Sequence, residues 1–214
     1  MTTPIKQYDI IGGGDLATEV AQYLSDNYKT GTFKVKIWDD YNNPELIINE
    51  HFSYGGKLDD IVMETGREAL VCVGNSKSRR EIAEFLLARR IPLSTFIHPS
   101  AIVSSSAEVK AGCIIFPFTC VSAHAVVGYN TILNSHVGVG HHAVVGDNCV
   151  ISPQTLIAGR AKIGDNSFLG SGTVIAPKKC IGSNTKVAAA SVVYRNSPDN
   201  AFLSGNPARN FTKG

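Results

Sequence analysis

The sequence is short of charged side chains. Asp, Glu, Lys and Arg make up only 18% of its 214 residues, against about 25% in an average soluble domain. The formal net charge of +2 is too small to indicate a nucleic-acid-binding surface. No apolar run approaches the roughly 18 residues that a membrane-spanning helix needs. These absences exclude a nucleic acid and a membrane from the expected partners.

Cysteine pairs and an N-terminal targeting signal are also lacking. The five cysteines are odd in number and include no CxxC motif, so they do not indicate a disulfide framework. The first residues, Met1-Thr2-Thr3-Pro4, have neither the basic nor the apolar region of a secretory signal. We therefore expect a reduced, cytoplasmic protein.

The few charges are unevenly spread along the chain. Residues 1–96 hold 25 of the 38 charged side chains, whereas residues 97–193 hold only 9. This difference predicts two domains that meet near Phe96 and Ile97, followed by a C-terminal tail over residues 194–214.

The charge-poor domain carries an internal repeat with a period of six. Seventeen successive positions at that spacing are all Ile, Val or Leu: Ile97, Val103, Val109, Ile115, Val121, Val127, Leu133, Val139, Val145, Ile151, Ile157, Ile163, Leu169, Ile175, Ile181, Val187 and Val193. A period of six fits neither an α-helix nor one long strand. It predicts a solenoid in which each hexad forms one short strand with its aliphatic residue inward, and three hexads close one coil. Glycines that follow the inward positions are expected to supply unusual backbone angles at turns.

The first domain alternates between strand and helix patterns. Strands are predicted at Tyr8–Ile11, Phe33–Trp38 and Ala69–Val73, with a helix after each of the first and third. Ser76 or Ser78 is expected to cap the second helix. Three strands joined by helices indicate an α/β, Rossmann-like half domain, which favours one bound nucleotide over NAD.

Two groups of residues in the first domain point to a nucleotide. The glycine turn Gly12-Gly13-Gly14 follows a strand and opens a helix, where backbone N–H groups and the helix dipole favour a phosphate. Asp39 and Asp40 end the second strand and can accept hydrogen bonds from ribose hydroxyls or a base. Both features are also compatible with an ordinary turn, and that alternative stays open.

The second candidate site is a cluster of histidines in the charge-poor domain. His124, His136, His141 and His142 are four of the six histidines in the chain. The hexad repeat places them away from the inward positions, near the coil corners. His141 lies two residues after the inward Val139, on a rim that can face a neighbouring subunit, and its imidazole suits a general base.

The chain as a whole resembles the hexapeptide-repeat nucleotide-sugar acetyltransferases. These include the bacillosamine-pathway and perosamine N-acetyltransferases and the sialic acid O-acetyltransferase relatives. Besides the glycine turn and the Asp pair, the shared segments are Val73-Gly74-Asn75 with Arg79, Ile97-His98-Pro99-Ser100-Ala101, Asn134 with His141, and Gly205-Asn206-Pro207-Ala208-Arg209. The resemblance implies a left-handed parallel β-helix after the α/β half domain. It also implies a homotrimer with active sites between subunits.

The resemblance implies roles for individual residues. His141 matches the catalytic base, and Gly159 matches the backbone N–H that contacts the thioester carbonyl of acetyl-CoA. The implied acetyl-CoA groove contains Gly159, Ser171 and Ala189. The implied substrate-binding residues are Gly12, Gly14, Asp15, Asp39, Asp40, Asn75 and Asn134. No metal is expected.

Two positions depart from the family pattern. His142 stands where the family usually has Glu or Asp, and Asp15 stands where it often has His. A carboxylate would hold the tautomer of the catalytic imidazole and raise its basicity. A neutral His142 can do the first but does the second poorly. Asp15 is unfavourable beside a phosphate, so we expect it to contact a sugar hydroxyl or amine.

These patterns predict an acetyl-CoA-dependent nucleotide-sugar N-acetyltransferase that acts on an amino group, at C4, of a nucleotide-linked amino sugar. UDP is the expected nucleotide, because the Asp pair resembles that of the UDP-using members. Three alternatives stay open: a sugar O-acetyltransferase of the same fold, a nucleotide-sugar sensor without turnover, and a metal hydratase like the γ-class carbonic anhydrases. The last has the His136-x4-His141 spacing, but Ser100 stands where its third histidine would lie.

Overall fold

The computed structural model describes residues 6–27, 33–41, 51–62, 64 and 66–212. The chain separates into two compact units, Met1–Ser94 and Thr95–Gly214. The first four residues, on which the expectation of no signal sequence depends, lie outside the described residues. Among the described residues, no helix is long and apolar enough to cross a membrane.

In the described part of the first unit there are four parallel strands and two α-helices. The strands are β1 (Lys6–Ile11), β2 (Phe33–Trp38), β3 (Phe52–Gly56) and β4 (Arg67–Val71), and the helices are α1 (Asp15–Asn27) and α2 (Ser76–Ala88), with a short 3-10 helix at Leu58–Asp60. The strand order is β3-β2-β1-β4, and every neighbouring pair is parallel. The carboxyl ends of β1, β2 and β4 therefore meet at one edge of the sheet.

The sequence prediction of this unit was incomplete in two places. It missed β3, because that strand is mostly exposed and carries only one buried apolar residue, Phe52. It was wrong about the cap of α2, which is Asn75: the Asn75 Oδ1 atom accepts a hydrogen bond from the Ser78 N–H at 3.1 Å. Ser76 already lies in the helix.

A buried ion pair joins three of the four strands. The Arg67 guanidinium lies 2.6 Å from Asp9 Oδ1, and their side chains are only 5% and 2% exposed. The Trp38 indole N–H donates to the same carboxylate at 2.8 Å. Because each charge would be left buried and unpaired without its partner, this contact fixes β1, β2 and β4 relative to one another.

The second unit is a parallel β-solenoid, which confirms the β-helix expected from the repeat. Its seventeen two-residue strands are β5 (Phe96–Ile97), β6 (Ile102–Val103), β7 (Glu108–Val109), β8 (Ile114–Ile115), β9 (Cys120–Val121), β10 (Val126–Val127), β11 (Ile132–Leu133), β12 (Gly138–Val139), β13 (Val144–Val145), β14 (Val150–Ile151), β15 (Leu156–Ile157), β16 (Lys162–Ile163), β17 (Phe168–Leu169), β18 (Val174–Ile175), β19 (Cys180–Ile181), β20 (Lys186–Val187) and β21 (Val192–Val193). A hairpin, β22 (Phe202–Gly205) and β23 (Ala208–Asn210), ends the unit.

Each solenoid strand from β5 to β18 pairs in parallel with the third strand after it, as Val127 does with Val145 and Val145 with Ile163. The strands thus form three sheets. Face 1 contains β5, β8, β11, β14, β17 and β20, with β22 and β23 at its end; face 2 contains β6, β9, β12, β15, β18 and β21; face 3 contains β7, β10, β13, β16 and β19. Corner 1 joins face 1 to face 2, corner 2 joins face 2 to face 3, and corner 3 joins face 3 to face 1.

The aliphatic positions of the repeat point into the solenoid. Fourteen of them, from Ile115 to Val193, are at most 3% exposed. The other three lie on the first coil, whose strands pair with a neighbour on one side only. Val103 and Val109 are therefore half-buried, and Ile97, whose register partner is the buried Ile115, is 41% exposed.

Residues with left-handed backbone angles occupy the corners, three positions after the inward residue. They are Gly112, Phe118, His124, Asn130, His136, His142, Asn148, Gln154, Arg160, Asn166, Gly172, Lys178, Asn184 and Ala190. The prediction that the glycines directly after the inward positions supply these angles was wrong. Those glycines allow close stacking of the coils instead: a Cβ on Gly128 would lie 2.5 Å from the Gly146 carbonyl oxygen.

Gly128→Ala should therefore destabilise the solenoid by about 1–3 kcal/mol, since the added methyl group meets backbone that cannot move independently. Gly138→Ala is the matched control, because a Cβ there meets only the flexible end of Leu156, at 3.0 Å. Urea unfolding followed by circular dichroism measures both variants. Equal unfolding midpoints for the two would contradict this explanation of the glycines.

Candidate active site

A cavity of about 450 Å³ lies at the carboxyl edge of the sheet in the first unit. Its lining includes the glycine turn, Asp15, Asp39 and Asp40, all of which the sequence singled out. It also includes Trp38, Tyr41 and Ser78, which the sequence analysis missed. Tyr41 is 93% exposed. The signal in the sequence that could have identified Tyr41 is its position directly after the Asp pair.

Gly12 is required by the geometry of the turn. Its φ angle is +109°, and a Cβ there would lie 2.8 Å from the Cys72 carbonyl oxygen. Its N–H donates to the Trp38 carbonyl oxygen at 2.8 Å. In contrast, a Cβ on Gly14 would meet no atom within 4 Å. Only the first of the two predicted glycines is thus fixed by packing.

Asp39 holds the glycine turn in place. Its Oδ2 atom accepts a hydrogen bond from the Gly13 N–H at 2.6 Å, and its Oδ1 atom accepts from the Tyr41 N–H at 2.8 Å. Asp40 is exposed and accepts from the Leu58 N–H at 2.8 Å. Both predicted acids therefore lie on the cavity wall, but they organise the backbone in different places.

Asp15 and Asn75 lie at the starts of the two helices. The Gly14 carbonyl oxygen accepts a hydrogen bond from the Thr18 N–H at 3.1 Å, so Asp15 is in the first turn of α1. The helix dipole stabilises an acidic side chain at that end of a helix. Asn75 caps α2 and is not part of the cavity lining.

Cys72 does line the cavity, but burial raises the pKa of its thiol to about 12, which leaves it without nucleophilic character.

His124, His142 and Arg160 form a column along corner 2 of the solenoid. They occupy the left-handed position in three successive coils. The ring centroids of His124 and His142 are 5.0 Å apart. His136 lies elsewhere, on corner 1, with its ring 5.1 Å from that of Phe118. The predicted cluster of four histidines is therefore divided between two corners.

His141 and His142 are in direct contact. Their Nδ1 atoms are 3.2 Å apart, and their ring planes are at 88°. The pKa of His142 is lowered from its ordinary value, first by desolvation and then by the charges of Arg160, His124 and His141. His142 therefore favours its neutral form, which can share a single proton with His141 across this contact.

His141 also lies against the α-carbon of Gly159. A Cβ on Gly159 would be 2.6 Å from His141 Nε2 and 2.9 Å from its Cε1. Any side chain at this position would therefore displace the imidazole. The sequence did not predict this packing role of Gly159. It predicted only that the Gly159 N–H contacts the thioester carbonyl.

Among the described residues, the Gly159 N–H has no hydrogen-bond acceptor. On corner 3, the corresponding N–H groups of Tyr129 and Asp147 donate to the carboxylates of Asp147 and Asp165 in the following coil, at 2.7 and 2.8 Å. The residue that follows Gly159 by one coil is Pro177, which has no side-chain acceptor. Within the described part of the chain, no hydrogen bond from the Gly159 N–H is found.

The other predicted solenoid residues are on corner 1. Asn134 accepts from the Ser135 N–H through its own Oδ1 atom at 2.7 Å. Ser171 and Ala189 are exposed and lie two and three coils further along. Face 2 separates all three from His141, so a single chain does not bring them together.

A second cavity, of about 460 Å³, lies at the C-terminal end of the solenoid. Arg195, Arg209 and Tyr194 contribute to its lining. Arg195 follows His141 on corner 2 by three coils, whereas Arg209 belongs to the tail segment noted in the sequence. The described residues contain no group of three His, Cys, Asp or Glu side chains that could hold a metal ion.

Comparison with known proteins gives structural but not sequence relatives. No family model and no curated protein sequence matches the chain. The acetyltransferase domain of PglB from Neisseria gonorrhoeae FA1090, in complex with acetyl coenzyme A, is 27% identical with a TM-score of 0.87, over 97% of this chain and 100% of that one. PerB from Caulobacter crescentus, in complex with CoA and GDP-perosamine, is 27% identical with a TM-score of 0.84, over 100% of both chains.

A third structure, WeeI from Acinetobacter baumannii AYE, shares the fold at 20% identity, with a TM-score of 0.80 over 95% of this chain and 99% of that one. The resemblance to hexapeptide-repeat sugar N-acetyltransferases indicated by the sequence is thereby confirmed.

Asp39→Ala should loosen the glycine turn, since it removes the carboxylate that accepts from the Gly13 N–H. The free energy of opening at Gly13, measured by amide hydrogen exchange, should fall by about 1.5–3 kcal/mol, the usual contribution of a hydrogen bond to a charged group. Asp40→Ala is the matched control and should leave Gly13 unchanged. Unchanged exchange at Gly13 in Asp39→Ala would show that another group holds the turn.

Proposed function

We propose that the protein transfers an acetyl group from acetyl-CoA to an amino group, at C4, of a nucleotide-linked sugar. The observation that carries this proposal is that His141 Nε2 lies against Gly159 on corner 2, where no hydrogen bond from the Gly159 N–H is found among the described residues. It occurs in a chain that superposes along nearly its whole length on an acetyltransferase domain with acetyl coenzyme A and on PerB with CoA and GDP-perosamine.

The proposed reaction is direct transfer in a ternary complex. The sugar amine attacks the thioester carbonyl, the C–N bond forms, and the amine proton passes to His141 Nε2. The oxyanion that develops accepts a hydrogen bond from the Gly159 N–H, and a donor of this kind is worth about 2.7–4 kcal/mol in other enzymes. The C–S bond then breaks, and the CoA thiolate leaves and takes up the proton that His141 holds.

The solenoid offers a cationic region for the phosphates of acetyl-CoA. Arg195 lies on corner 2, three coils from His141, which corresponds to about 14 Å at the usual strand spacing. Arg209 lines the same cavity. The phosphates would bind these guanidinium groups, and the extended arm of the cofactor would run along the corner to His141, with Ser171 and Ala189 contributed from corner 1.

The cavity of the first unit is the proposed site of the nucleotide. The sheet of this unit has the strand order of the first four strands of a doubly wound dinucleotide-binding fold. This order supports a Rossmann-like half domain. Gly12 and Gly14 would face a phosphate, and the exposed ring of Tyr41 is available to stack on a base. Asp15, Asp40 and Asn75 remain proposed contacts, with UDP as the expected nucleotide.

A homotrimer would complete the site on the solenoid. The outward positions of face 2 carry no charged side chain; they are Ile102, Cys120, Gly138, Leu156, Val174 and Val192. Ile102 is 69% exposed and Leu156 is 47% exposed. If this face meets another copy in a cyclic assembly, corner 1 of one copy, with Asn134, can reach His141 of the next.

Two further properties belong to this proposal. The solenoid is inferred to be left-handed, as in the family that it resembles. All five cysteines are free thiols, two of them exposed, which supports the expected cytoplasmic location because exposed thiols persist in a reducing compartment.

The test of the proposed function is thiol release from acetyl-CoA with UDP-, dTDP- and GDP-linked 4-amino sugars, and with the corresponding 4-hydroxy sugars. We expect CoA release and an N-acetylated product with a UDP-linked amine. His141→Asn should lower kcat by roughly 10²–10⁴-fold, the range for loss of a general base. His136→Asn, which suits the left-handed backbone at that position, is the control. Release with no acceptor, or only with hydroxy sugars, would contradict the proposal.

Leu156→Glu should separate the assembly, because it places a charge in the middle of uncharged face 2. Sedimentation velocity should show a trimer for the unmodified protein and a monomer for this variant. Lys162→Glu is the control and should stay trimeric, because Lys162 lies on the next strand along the chain, β16, which belongs to face 3. A monomeric unmodified protein, or a trimeric Leu156→Glu variant, would refute the proposed interface.

A further inference from the structure

We infer that His142 accepts a hydrogen bond from the Nδ1–H group of His141 and so holds His141 in the tautomer whose Nε2 atom is free, and that Arg160, in the next coil of the same column, keeps His142 in this acceptor role. In this role His142 and Arg160 are positioning residues. The consequence for catalysis depends on the proposed function, but the hydrogen bond itself is a property of the free protein.

The geometry allows two arrangements of one shared proton. The two Nδ1 atoms are 3.2 Å apart, so one of them donates and the other accepts. If His141 donates, its Nε2 atom carries a lone pair beside Gly159. If His142 donates, His141 must accept at Nδ1, its Nε2 atom carries the proton, and it cannot serve as a base.

The surroundings of His142 decide which ring carries a positive charge. Arg160 lies in the next coil of the same column, His124 in the preceding coil, and His141 beside it; these are the charged and titratable groups that face His142. A proton on His142 is opposed by all three. When His141 takes a proton at Nε2, the charge therefore stays on His141, and its Nδ1–H still needs the neutral His142 as acceptor.

This arrangement replaces a carboxylate by a neutral acceptor. A carboxylate would fix the same tautomer and also raise the pKa of the imidazole by stabilising its charged form. A neutral imidazole fixes the tautomer without that increase. The pair His141–His142 is consequently suited to an amine acceptor, which needs less basic help than a hydroxyl group.

The acid limit of the reaction should depend on Arg160. As the pH falls, uptake of one proton by the pair puts a proton on His141 Nε2 whichever ring carries the charge, because a charged His142 becomes a donor and His141 must then accept at Nδ1. Protonation of His142 is one of these two routes. The lowered pKa of His142 keeps this event at lower pH. Removing the charge of Arg160 should raise that pKa, so activity should be lost at a higher pH.

The experiment is ¹⁵N NMR of the histidine rings in the full-length protein, recorded at a pH above the titration range that the same spectra establish. We expect His141 to be protonated at Nδ1 and not at Nε2. His142→Asn keeps a side-chain acceptor and suits the left-handed backbone, so it should retain this tautomer. His142→Ala removes the acceptor, and His141 should then shift towards the Nε2–H tautomer.

The second measurement is the kcat of the variants and its dependence on pH. Lys178→Gln, which removes a charge one coil further along the same column, is the control for Arg160→Gln. His142→Ala should lower kcat by roughly 10- to 100-fold, because much of His141 presents the wrong tautomer, and His142→Asn should restore most of it. Arg160→Gln should move the acid limb of the pH profile upward, and Lys178→Gln should not.

The outcomes separate this inference from the proposed function. An Nε2–H tautomer of His141 in the unmodified protein, or a tautomer unaffected by His142→Ala, would overturn the inference even if acetyl transfer occurs. An Nδ1–H tautomer that depends on His142, in a protein that transfers no acetyl group, would support the hydrogen bond and refute the proposed reaction.

Discussion

The uninterrupted coil of three hexads is the constraint on which the solenoid and its candidate site depend. Because each strand pairs with the third strand after it, residues that lie one coil apart form columns along the unit. The inward columns supply the buried aliphatic core, and the left-handed corner positions form columns of their own. His142 therefore lies between His124 and Arg160 because of the repeat, and the charges of these two neighbours add to desolvation in lowering its pKa.

The sequence predicted the solenoid well because its repeat has no insertion, and inward burial depends only on that periodicity. It predicted the turns poorly. Glycine was expected to supply the unusual backbone angles, yet those angles belong to residues such as Asn148 and His142. Gly128 instead allows two backbones to approach closely. Periodicity alone does not distinguish a glycine needed for its φ angle from one needed for its missing side chain.

The candidate site shows the same limit. Resemblance named His141, His142 and Gly159, but the contact between the two rings and the packing of Gly159 against Nε2 depend on how neighbouring coils stack. In the first unit, Asp39 was identified as a ligand group, and the structure shows that it also holds the glycine turn. The edge strand β3 was missed because it lacks a strong apolar pattern. The capping role of Asn75 was missed because Ser76 and Ser78 beside it are about equally good caps by residue type.

The coil also determines which changes in length the solenoid can accept. Removing or duplicating one whole coil leaves every remaining residue in its own column, so the core and the corners stay continuous. Removing a single hexad keeps the aliphatic residues inward but transfers every later side chain to a different face. An insertion of one residue within a strand breaks both patterns, whereas a loop inserted at a corner breaks neither. Evolution and protein engineering can therefore lengthen this unit only in whole coils or at its corners.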